Sequence, residues 1–272
     1  MDATGRAARP RALSIAGSDS GGGAGIQADL KTFSALGVFG MTAITAVTVQ
    51  NTQGVSDYQA LPPAIVADQI RAVVTDIGVD AAKTGMLASA EIVEAVAAAV
   101  AETAVPNLVV DPVAVSKHGN RLLDEAAVGA LRERIVPLAT LVTPNLPEAA
   151  SLAGFPVTDS DLMEDAAEAI QAMGPVAVLV KGGHLPGSSG ADDLFFDGDR
   201  MEWIAGERIA TTNTHGTGCT LSSSIAAYLA RGDELFDAVR KGKVFVTEAI
   251  RAALPLGHGI GPVDQLWGIG KD

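Results

Sequence analysis

Short runs of apolar, often β-branched residues alternate along the chain with longer stretches in which apolar residues recur every three or four positions. Runs of the first kind are typical of buried strands, and stretches of the second kind are typical of amphipathic helices. Strands regularly followed by helices favour a mostly parallel sheet with helices on both faces, a three-layer αβα fold of the α/β class. The predicted strands span residues 12–16, 41–50, 81–84, 108–110, 141–142 and 176–180.

Helices and one hairpin complete the predicted elements. No low-complexity linker and no repeat of fixed period divides the pattern. We therefore expect a single domain over residues 11–272, preceded by a flexible tail at residues 1–10. The predicted helices span residues 26–36, 64–74, 91–102, 125–135, 161–173, 221–229 and 233–254, and the hairpin turns at Asp197-Gly198.

The charge and the cysteine content narrow the classes of function. The 272 residues carry a formal net charge of -13 at pH 7 and a pI near 4.6. Such acidity argues against a nucleic-acid-binding surface, because a phosphate backbone attracts Lys and Arg. Cys219 is the only cysteine, so no intrachain disulfide can form and a reducing compartment fits. No apolar run approaches the roughly 20 residues of a membrane span, and we expect a cytoplasmic protein without a membrane segment.

Almost every predicted strand ends in a polar or glycine-rich cluster. Ligands of open α/β sheets bind at the carboxyl ends of the strands, so we expect the site at that edge. Turn chemistry accounts for some of the clusters, because loops favour Gly, Asn, Asp and Pro in any case. The glycines fit the dinucleotide-binding fingerprint poorly, which makes a nicotinamide site a weak alternative. The clusters are residues 17–25, Gln50-Asn51, Asp111-Pro112, Thr143-Pro144-Asn145 and Lys181-Gly182-Gly183.

A glycine-rich loop at residues 213–218 runs directly into a predicted helix. Gly216 and Gly218 allow the backbone to approach a ligand, and the free N–H groups of a first helical turn favour an anion such as phosphate. Cys219 lies on that turn, where a thiolate is stabilised, so we expect its pKa to fall below the ordinary value. It could then act as a base or a nucleophile. The alternative is a tight turn followed by a small core residue.

Seven segments together resemble the ribokinase-like kinases, and most closely the hydroxymethylpyrimidine/phosphomethylpyrimidine kinases of thiamin biosynthesis. Their order matches the family, and with residues 255–259 they cover about residues 11 to 265, which makes the resemblance far more specific than any single motif. The segments are AGSDSGGGAGIQAD (16–29), TVQNT (48–52), KTGML (83–87), DPV (111–113), TPNLPE (143–148), VKGGH (180–184) and THGTGCT (214–220).

The resemblance implies ATP-dependent phosphorylation of 4-amino-5-hydroxymethyl-2-methylpyrimidine, then of its monophosphate to the diphosphate, by a homodimer. It implies that Gly216, Thr217 and Gly218 form an anion hole, with Cys219 where sugar kinases of the superfamily carry a catalytic Asp. It further implies that Lys181 and Asp29 lie near the phosphates, that Asn145 and Glu148 bind Mg²⁺ through water, and that a pocket for the pyrimidine is lined by Gln50, Gly17, Ala24, Met86 and Val113.

Some of these assignments also have a direct chemical basis. The Gln50 amide offers a donor beside an acceptor, which matches a ring nitrogen next to an exocyclic amine; a strand-end Gln that caps backbone groups is the alternative. Lys181 could supply a positive charge that stabilises a transferring phosphoryl group. The alternative is an ordinary solvated Lys. Asn145 and Glu148 stand three residues apart at a helix start, where they could equally form a helix cap.

Other residues are interpreted more simply, and rival functions stay open. His184 and His215 lack metal-ligand spacing and are interpreted as loop residues. Residues 21–23, three consecutive glycines, predict a mobile flap that excludes water as it closes. The nearest rival function is a pyridoxal or pyridoxine kinase. A rival from another class is a non-catalytic protein that senses the pyrimidine or a nucleotide.

Overall fold

A nine-stranded sheet crosses the part of the chain that the structure, a computed structural model, describes: residues 9–113, 124–183, 185 and 190–269. The strands are β1 (Arg11–Ser18), β2 (Phe39–Asn51), β3 (Gly54–Ala60), β4 (Ala81–Thr84), β5 (Leu108–Val110), β6 (Leu141–Val142), β7 (Ala177–Lys181), β8 (Asp193–Phe196) and β9 (Met201–Ile204). Their order is β3-β2-β1-β4-β5-β6-β7-β8-β9. Six neighbouring strands pair in parallel: β2, β1, β4, β5, β6 and β7. The other three, β3, β8 and β9, are antiparallel to their neighbours.

Helices cover both faces of the sheet. They are α1 (Gly25–Ala35), α2 (Pro63–Asp76), α3 (Ala90–Glu102), α4 (Glu125–Ala130), α5 (Leu146–Ala153), α6 (Ser160–Gln171), α7 (Thr217–Ala230) and α8 (Leu235–Arg251). α4 continues through a π-helical segment at Leu131–Ile135 and a 3₁₀ segment at Val136–Leu138.

Each face of the sheet has its own apolar core. Leu108 and Val110 of β5 pack into the core formed with α2 to α6, whereas Val109 between them packs into the core formed with α1, α7 and α8. Strands buried on both faces are expected to be continuously apolar. This burial explains why β5 appears in the sequence as an uninterrupted apolar run, and the three-layer αβα prediction is confirmed.

The predicted elements correspond closely to the observed ones, except that β3 was not predicted and α5 was indicated only by a helix start at Asn145. β4, β5 and β6 have the predicted bounds, and the hairpin of β8 and β9 turns at Asp197-Gly198 as expected. The sequence did not indicate β3, which pairs antiparallel with β2 at the edge of the sheet. Its side chains are mostly exposed, so it shows no apolar alternation. Of the tail predicted at residues 1–10, residues 1–8 lie outside the described part.

Two helix N-termini meet at the edge where the parallel strands end. α1 begins at Gly25 beyond the end of β1, and α7 begins after Gly216, whose φ is 84°. α1 and α7 pack side by side, which brings the two glycine loops together. Among the described residues, none of the helices has the length and apolar character needed to span a bilayer.

Candidate active site

The two glycine loops touch at Gly216 and Gly23. A side-chain carbon at Gly216 would overlap the carbonyl oxygen of Gly23, so this contact requires glycine for space as well as for its positive φ. Gln265 bridges the two loops, since its Nε2 lies 3.1 Å from Thr220 Oγ1 and 3.4 Å from Gly23 O. The first turn of α7 is thereby fixed against the loop that follows β1.

Asp19 organises the loop that contains the three consecutive glycines. Its buried carboxylate accepts hydrogen bonds from the backbone N–H groups of Gly21 at 2.8 Å, Gly23 at 3.1 Å and Ala24 at 2.8 Å. Burial acts to raise the pKa of Asp19, but the hydrogen bond with His215 and those backbone donors hold it below its usual range. The predicted flap is therefore tethered by an ionised side chain in this conformation.

Lys181 lies beside the first turn of α7, at the end of β7. Its Nζ is 2.9 Å from Asp111 Oδ1 and 3.8 Å from Glu148 Oε2. A side-chain carbon at Gly218 would lie 3.5 Å from Asp111 Oδ2 and 3.6 Å from Lys181 Nζ. The structure thus brings together Lys181, Glu148 and Gly218 from the sequence prediction. The cation and the Asp111 carboxylate thus lie beside the first turn of α7, and Glu148 approaches the same cation.

Asn145 and Glu148 form the helix cap that the sequence left as an alternative. Asn145 Oδ1 accepts from the Glu148 N–H at 3.0 Å, and Glu148 Oε2 accepts from the Asn145 N–H at 2.8 Å. Burial raises the pKa of Glu148 to about 7, although Lys181 counteracts it. The cap holds the Glu148 carboxylate toward Lys181, so a capping role and a role in the site are compatible.

Cys219 lies where the N-termini of α1 and α7 converge. The backbone N–H of Gly25 hydrogen-bonds to its sulfur. The expected low pKa is nevertheless wrong: burial raises the pKa of the Cys219 thiol to about 11. Lys83 and the Gly25 N–H act in the predicted direction, but loss of hydration outweighs them, and the charges of Asp29 and Asp111 add to the rise. At neutral pH the group is a thiol.

Asp29, expected near the phosphates, is turned inward by α1 and is fully buried. Its carboxylate accepts from Lys83 Nζ at 3.0 and 3.2 Å and from Ser14 Oγ at 2.6 Å. Although burial favours neutral Lys83, the charges of Asp29 and Asp111 raise the Lys83 pKa, so the buried cation stays charged. In this structure the Asp29 carboxylate is thus engaged by Lys83 and Ser14, and its expected place near the phosphates stays a prediction.

The residues predicted to line the pyrimidine pocket lie along the same edge of the sheet. Gly17 and Met86 are neighbours, because a side-chain carbon at Gly17 would lie 3.5 Å from Met86 Sδ. Ala24 precedes α1, and Val113 follows β5 close to Asp111, whose carbonyl oxygen accepts its N–H. The amide of Gln50, at the end of β2, lies 3.3 Å from His215 Nε2 and 3.2 Å from Thr48 Oγ1.

His215 lies in the loop before α7, as predicted, but its surroundings were not foreseen. Interpreted from the sequence as a loop residue, it is buried, and its Nε2 lies 2.9 Å from Asp19 Oδ2. His184 lies outside the described residues. Within the described ranges, no group of three or more His, Cys, Asp or Glu side chains is arranged to hold a metal ion.

Comparison with known proteins decides the family. The profile described as phosphomethylpyrimidine kinase matches residues 19–264. The chain belongs to the phosphomethylpyrimidine kinase family. The hydroxymethylpyrimidine/phosphomethylpyrimidine kinase of Streptomyces coelicolor is 53% identical over 262 residues, which cover 96% of each chain.

Solved structures agree with this assignment to the phosphomethylpyrimidine kinase family. The phosphomethylpyrimidine kinase of Clostridium difficile superposes with a TM-score of 0.80 at 44% identity, covering 89% of this chain and 100% of that one. An ADP complex of Bacillus subtilis pyridoxal kinase superposes with a TM-score of 0.89 at 41% identity, covering 95% and 98%. The ribokinase-like resemblance is confirmed, and a pyridoxal kinase is a close structural neighbour of this phosphomethylpyrimidine kinase family member.

Three residues close to the candidate site were given no role in it from the sequence, although each lies in one of the family-like segments: Lys83, Asp111 and His215. Lys83 left one signal, a charged residue inside the short apolar strand β4. Asp111 directly follows the buried strand β5 and was noted only as part of a polar cluster. His215 belongs to the family-like segment THGTGCT, but nothing in the sequence indicated its burial or its pairing with Asp19. A surface depression of about 620 Å³ lined by Phe155, Leu162 and their neighbours contains none of the predicted site residues.

Proposed function

We propose that this protein transfers phosphate from ATP to 4-amino-5-hydroxymethyl-2-methylpyrimidine and then to the resulting monophosphate, within thiamin biosynthesis. The observation that carries the proposal is the position of Lys181 Nζ beside Gly218 and Asp111 at the N-terminus of α7. A cation next to backbone N–H groups at a helix start suits a phosphoryl group. The Streptomyces coelicolor relative carries both activities in its name.

Most of the rate enhancement would come from positioning the reactants and stabilising the charge of the transition state. Phosphoryl transfer passes through a loose transition state in most analyses, with charge spread over the equatorial oxygens. The N–H groups of Thr217, Gly218 and Cys219 would bind those oxygens, and Lys181 would neutralise part of their charge. Asp111 and Glu148 hold Lys181 toward the anion hole, since both carboxylates approach its Nζ.

The donor set fits Mg²⁺. Asp111 and Glu148 supply two carboxylates at one place, and Mg²⁺ is usually held by one or two carboxylates, phosphates and several waters. Glu148 would bind it through water, and Asn145 would act by capping α5 and thereby fixing Glu148. Bound Mg²⁺ would supply neutralisation of the phosphate charge.

Cys219 would matter chiefly for the first phosphorylation. A thiol with a pKa near 11 is a weak acid and exists mainly as S–H at neutral pH. The hydroxymethyl oxygen forms its bond to phosphorus as the bond from phosphorus to the ADP oxygen breaks, and the hydroxyl proton must leave. Cys219 would accept a hydrogen bond that orients the hydroxyl, and the proton would pass to an oxygen of the transferred phosphoryl group. The monophosphate is already an anion near neutral pH, because its second pKa is about 6. The second step therefore needs no base.

The pyrimidine would lie against Gln50, with Gly17, Ala24, Met86 and Val113 forming its surroundings. Gly17 and Met86 are adjacent, and because Gly17 has no side chain, a flat ring could approach the backbone there. The Gln50 amide would pair with the ring nitrogen and the exocyclic amine. Pyridoxal has no such amine, and this difference favours the pyrimidine as the substrate. Pyridoxal remains the alternative substrate, because the similar Bacillus subtilis protein is a pyridoxal kinase.

The test is a product assay with purified protein and Mg²⁺-ATP. Hydroxymethylpyrimidine, its monophosphate and pyridoxal are incubated separately, and mass spectrometry identifies the products. Diphosphate from the first two is the expected result. Pyridoxal phosphate alone would assign the chain to the vitamin B6 kinases, and no product from any of the three would favour the non-catalytic sensor.

We further propose that the enzyme works as a cytoplasmic homodimer. Val47 and Val49 are exposed on one side of β2 near the edge of the sheet, where a second copy could cover them. Light scattering coupled to size exclusion would measure the mass. A monomer across the micromolar range would contradict the dimer.

A further inference from the structure

The imidazole of His215 lies between Asp19 of the glycine loop and Gln50, the residue proposed to bind the pyrimidine. Its Nε2 lies 2.9 Å from Asp19 Oδ2 and 3.3 Å from Gln50 Nε2. The backbone of His215 is fixed by the C-terminal segment, since its N–H donates to Gly261 O and its carbonyl accepts from Val263 N–H. Because the side chain is also buried, the ring has little freedom to move between its two neighbours.

The proton on His215 Nε2 is determined by Asp19. The Asp19 carboxylate already accepts three backbone N–H groups and is ionised at neutral pH, so it can only accept another hydrogen bond. His215 Nε2 must therefore carry a hydrogen, which it donates to Asp19. A ring nitrogen that carries a hydrogen has no lone pair left to accept one from the Gln50 amide.

Thr48, on the other side of the Gln50 amide, also favours an amide oxygen that faces His215. Its single hydroxyl hydrogen has two acceptors within reach, Ser18 O at 2.9 Å and Gln50 Oε1 at 3.2 Å, and it can serve only one of them well. If the Gln50 amide is turned by 180°, its oxygen shares the His215 Nε2–H and its nitrogen donates to Thr48 Oγ1. Thr48 then donates to Ser18 O, and every group has a partner.

We propose that His215 is a positioning residue that, with Thr48, fixes the Gln50 amide with Oε1 toward His215 and Nε2 toward Thr48, and thereby determines the choice of substrate. This inference rests on the proposed role of Gln50 in reading the aminopyrimidine. A fixed amide presents one acceptor and one donor in a set order, which an adjacent amine and ring nitrogen match in one orientation only. A site with a fixed donor and acceptor rejects ligands that lack the matching pair, because its polar groups are left unpaired.

The test compares His215→Ala, His215→Gln and the unchanged protein. Calorimetric Kd values are measured for hydroxymethylpyrimidine and for pyridoxal, together with KM and kcat. We expect His215→Ala to weaken hydroxymethylpyrimidine binding about tenfold, as for one lost buried hydrogen bond, with kcat nearly unchanged and pyridoxal affected little. His215→Gln, whose amide carries two hydrogens, should restore most of the affinity.

Thr48→Val keeps the inference testable if His215→Ala fails to fold, since it removes the hydroxyl that accepts from Gln50 Nε2, together with its hydrogen bond to Ser18 O. It should weaken hydroxymethylpyrimidine binding in the same selective way. Equal losses for both ligands, or a fall in kcat alone, would overturn the positioning role while leaving the proposed function intact. If the unchanged protein binds neither hydroxymethylpyrimidine nor its monophosphate, the proposed function fails and this inference fails with it.

The ligand-free protein gives an independent readout. In NMR spectra with ¹⁵N-labelled side-chain amides, the Gln50 amide protons should show cross-relaxation to the Thr48 methyl group. Cross-relaxation to the His215 ring protons instead would mean that Nε2 faces His215, and would overturn the proposal directly.

Discussion

Lys181 Nζ lies 2.9 Å from Asp111 Oδ1, an ion pair that joins the carboxyl ends of two strands separated in the sheet by β6. Glu148 Oε2 approaches the same ammonium at 3.8 Å. Gly218 is close enough that a side-chain carbon there would meet both members of the pair. The ion pair thus joins the sheet edge to the first turn of α7.

Replacement of Lys181 by Met should impair catalysis much more than folding. The substitution removes the cation beside the anion hole, and we expect kcat/KM to fall about 10²- to 10³-fold, as for other groups that stabilise transition-state charge. Lys241→Met is the matched control, because Lys241 pairs with Asp233 on the exposed side of α8. Steady-state kinetics of both variants give the comparison, and a loss of less than threefold in Lys181→Met would contradict the assigned role.

Gly216→Ala separates backbone strain from steric overlap. Gly216 and Gly154 have nearly the same φ, 84° and 86°, but only at Gly216 would a new side chain overlap another group, the Gly23 carbonyl. Both Ala variants should lose about 1–2 kcal/mol from the strained φ alone. Only Gly216→Ala should also lose activity, as measured by denaturant titration and kcat/KM. Full activity in Gly216→Ala would show that the loop contact is dispensable.

Much of the fold could be predicted from sequence because its strands are buried on both faces. β5 is apolar at all three positions, since Leu108 and Val110 face one core and Val109 the other. β3 could not be predicted in this way, because its side chains are exposed and its pairing depends on the neighbouring β2. Periodicity reports burial, and an exposed edge strand has little of it.

The site could be predicted only where local chemistry determines it. Glycines before a helix indicate an anion site, and the structure brings Gly218 to Lys181. The partners of buried charges depend on contacts across the fold instead: Lys83 and Asp29 are 54 residues apart, and His215 and Asp19 are 196 apart. The same long-range burial raises the Cys219 pKa, against the local prediction from its helix terminus.

The buried ion pair beneath the site should be costly to break. Lys83 and Asp29 have no solvent exposure, so Lys83→Met would leave an unpaired carboxylate and should lower the free energy of unfolding by about 3–5 kcal/mol. Adding Asp29→Leu should recover a large part of that loss, because the uncompensated charge is gone. Chemical denaturation of the single and double variants measures the coupling. Strictly additive losses would mean that the two side chains do not act as a pair.

Thiol alkylation tests the raised pKa of Cys219. A rise in the Cys219 pKa from the ordinary value of 9.0 to about 11 means that at any pH well below 9 the folded protein holds about a hundredfold less thiolate. A thiolate of higher pKa is also more nucleophilic, which reduces the expected slowing to roughly tenfold. Iodoacetamide should therefore react more slowly with the folded protein than with the same cysteine in urea, with the rate still rising beyond pH 10. Faster alkylation of the folded protein would indicate the low pKa first expected.

Cys219→Ala should slow the first phosphorylation much more than the second. Only the hydroxymethyl acceptor must lose a proton, whereas the monophosphate is already an anion at neutral pH because its second pKa is about 6. Removing the sulfur takes away the acceptor for that proton's hydrogen bond but leaves the backbone N–H groups of the anion hole in place. The two steps are followed separately, with hydroxymethylpyrimidine or its monophosphate as the substrate and the rate of product formation as the measurement. If both rates fall by the same factor, Cys219 acts on the transferred phosphate or on the shape of the turn, and the assignment to the first step is wrong.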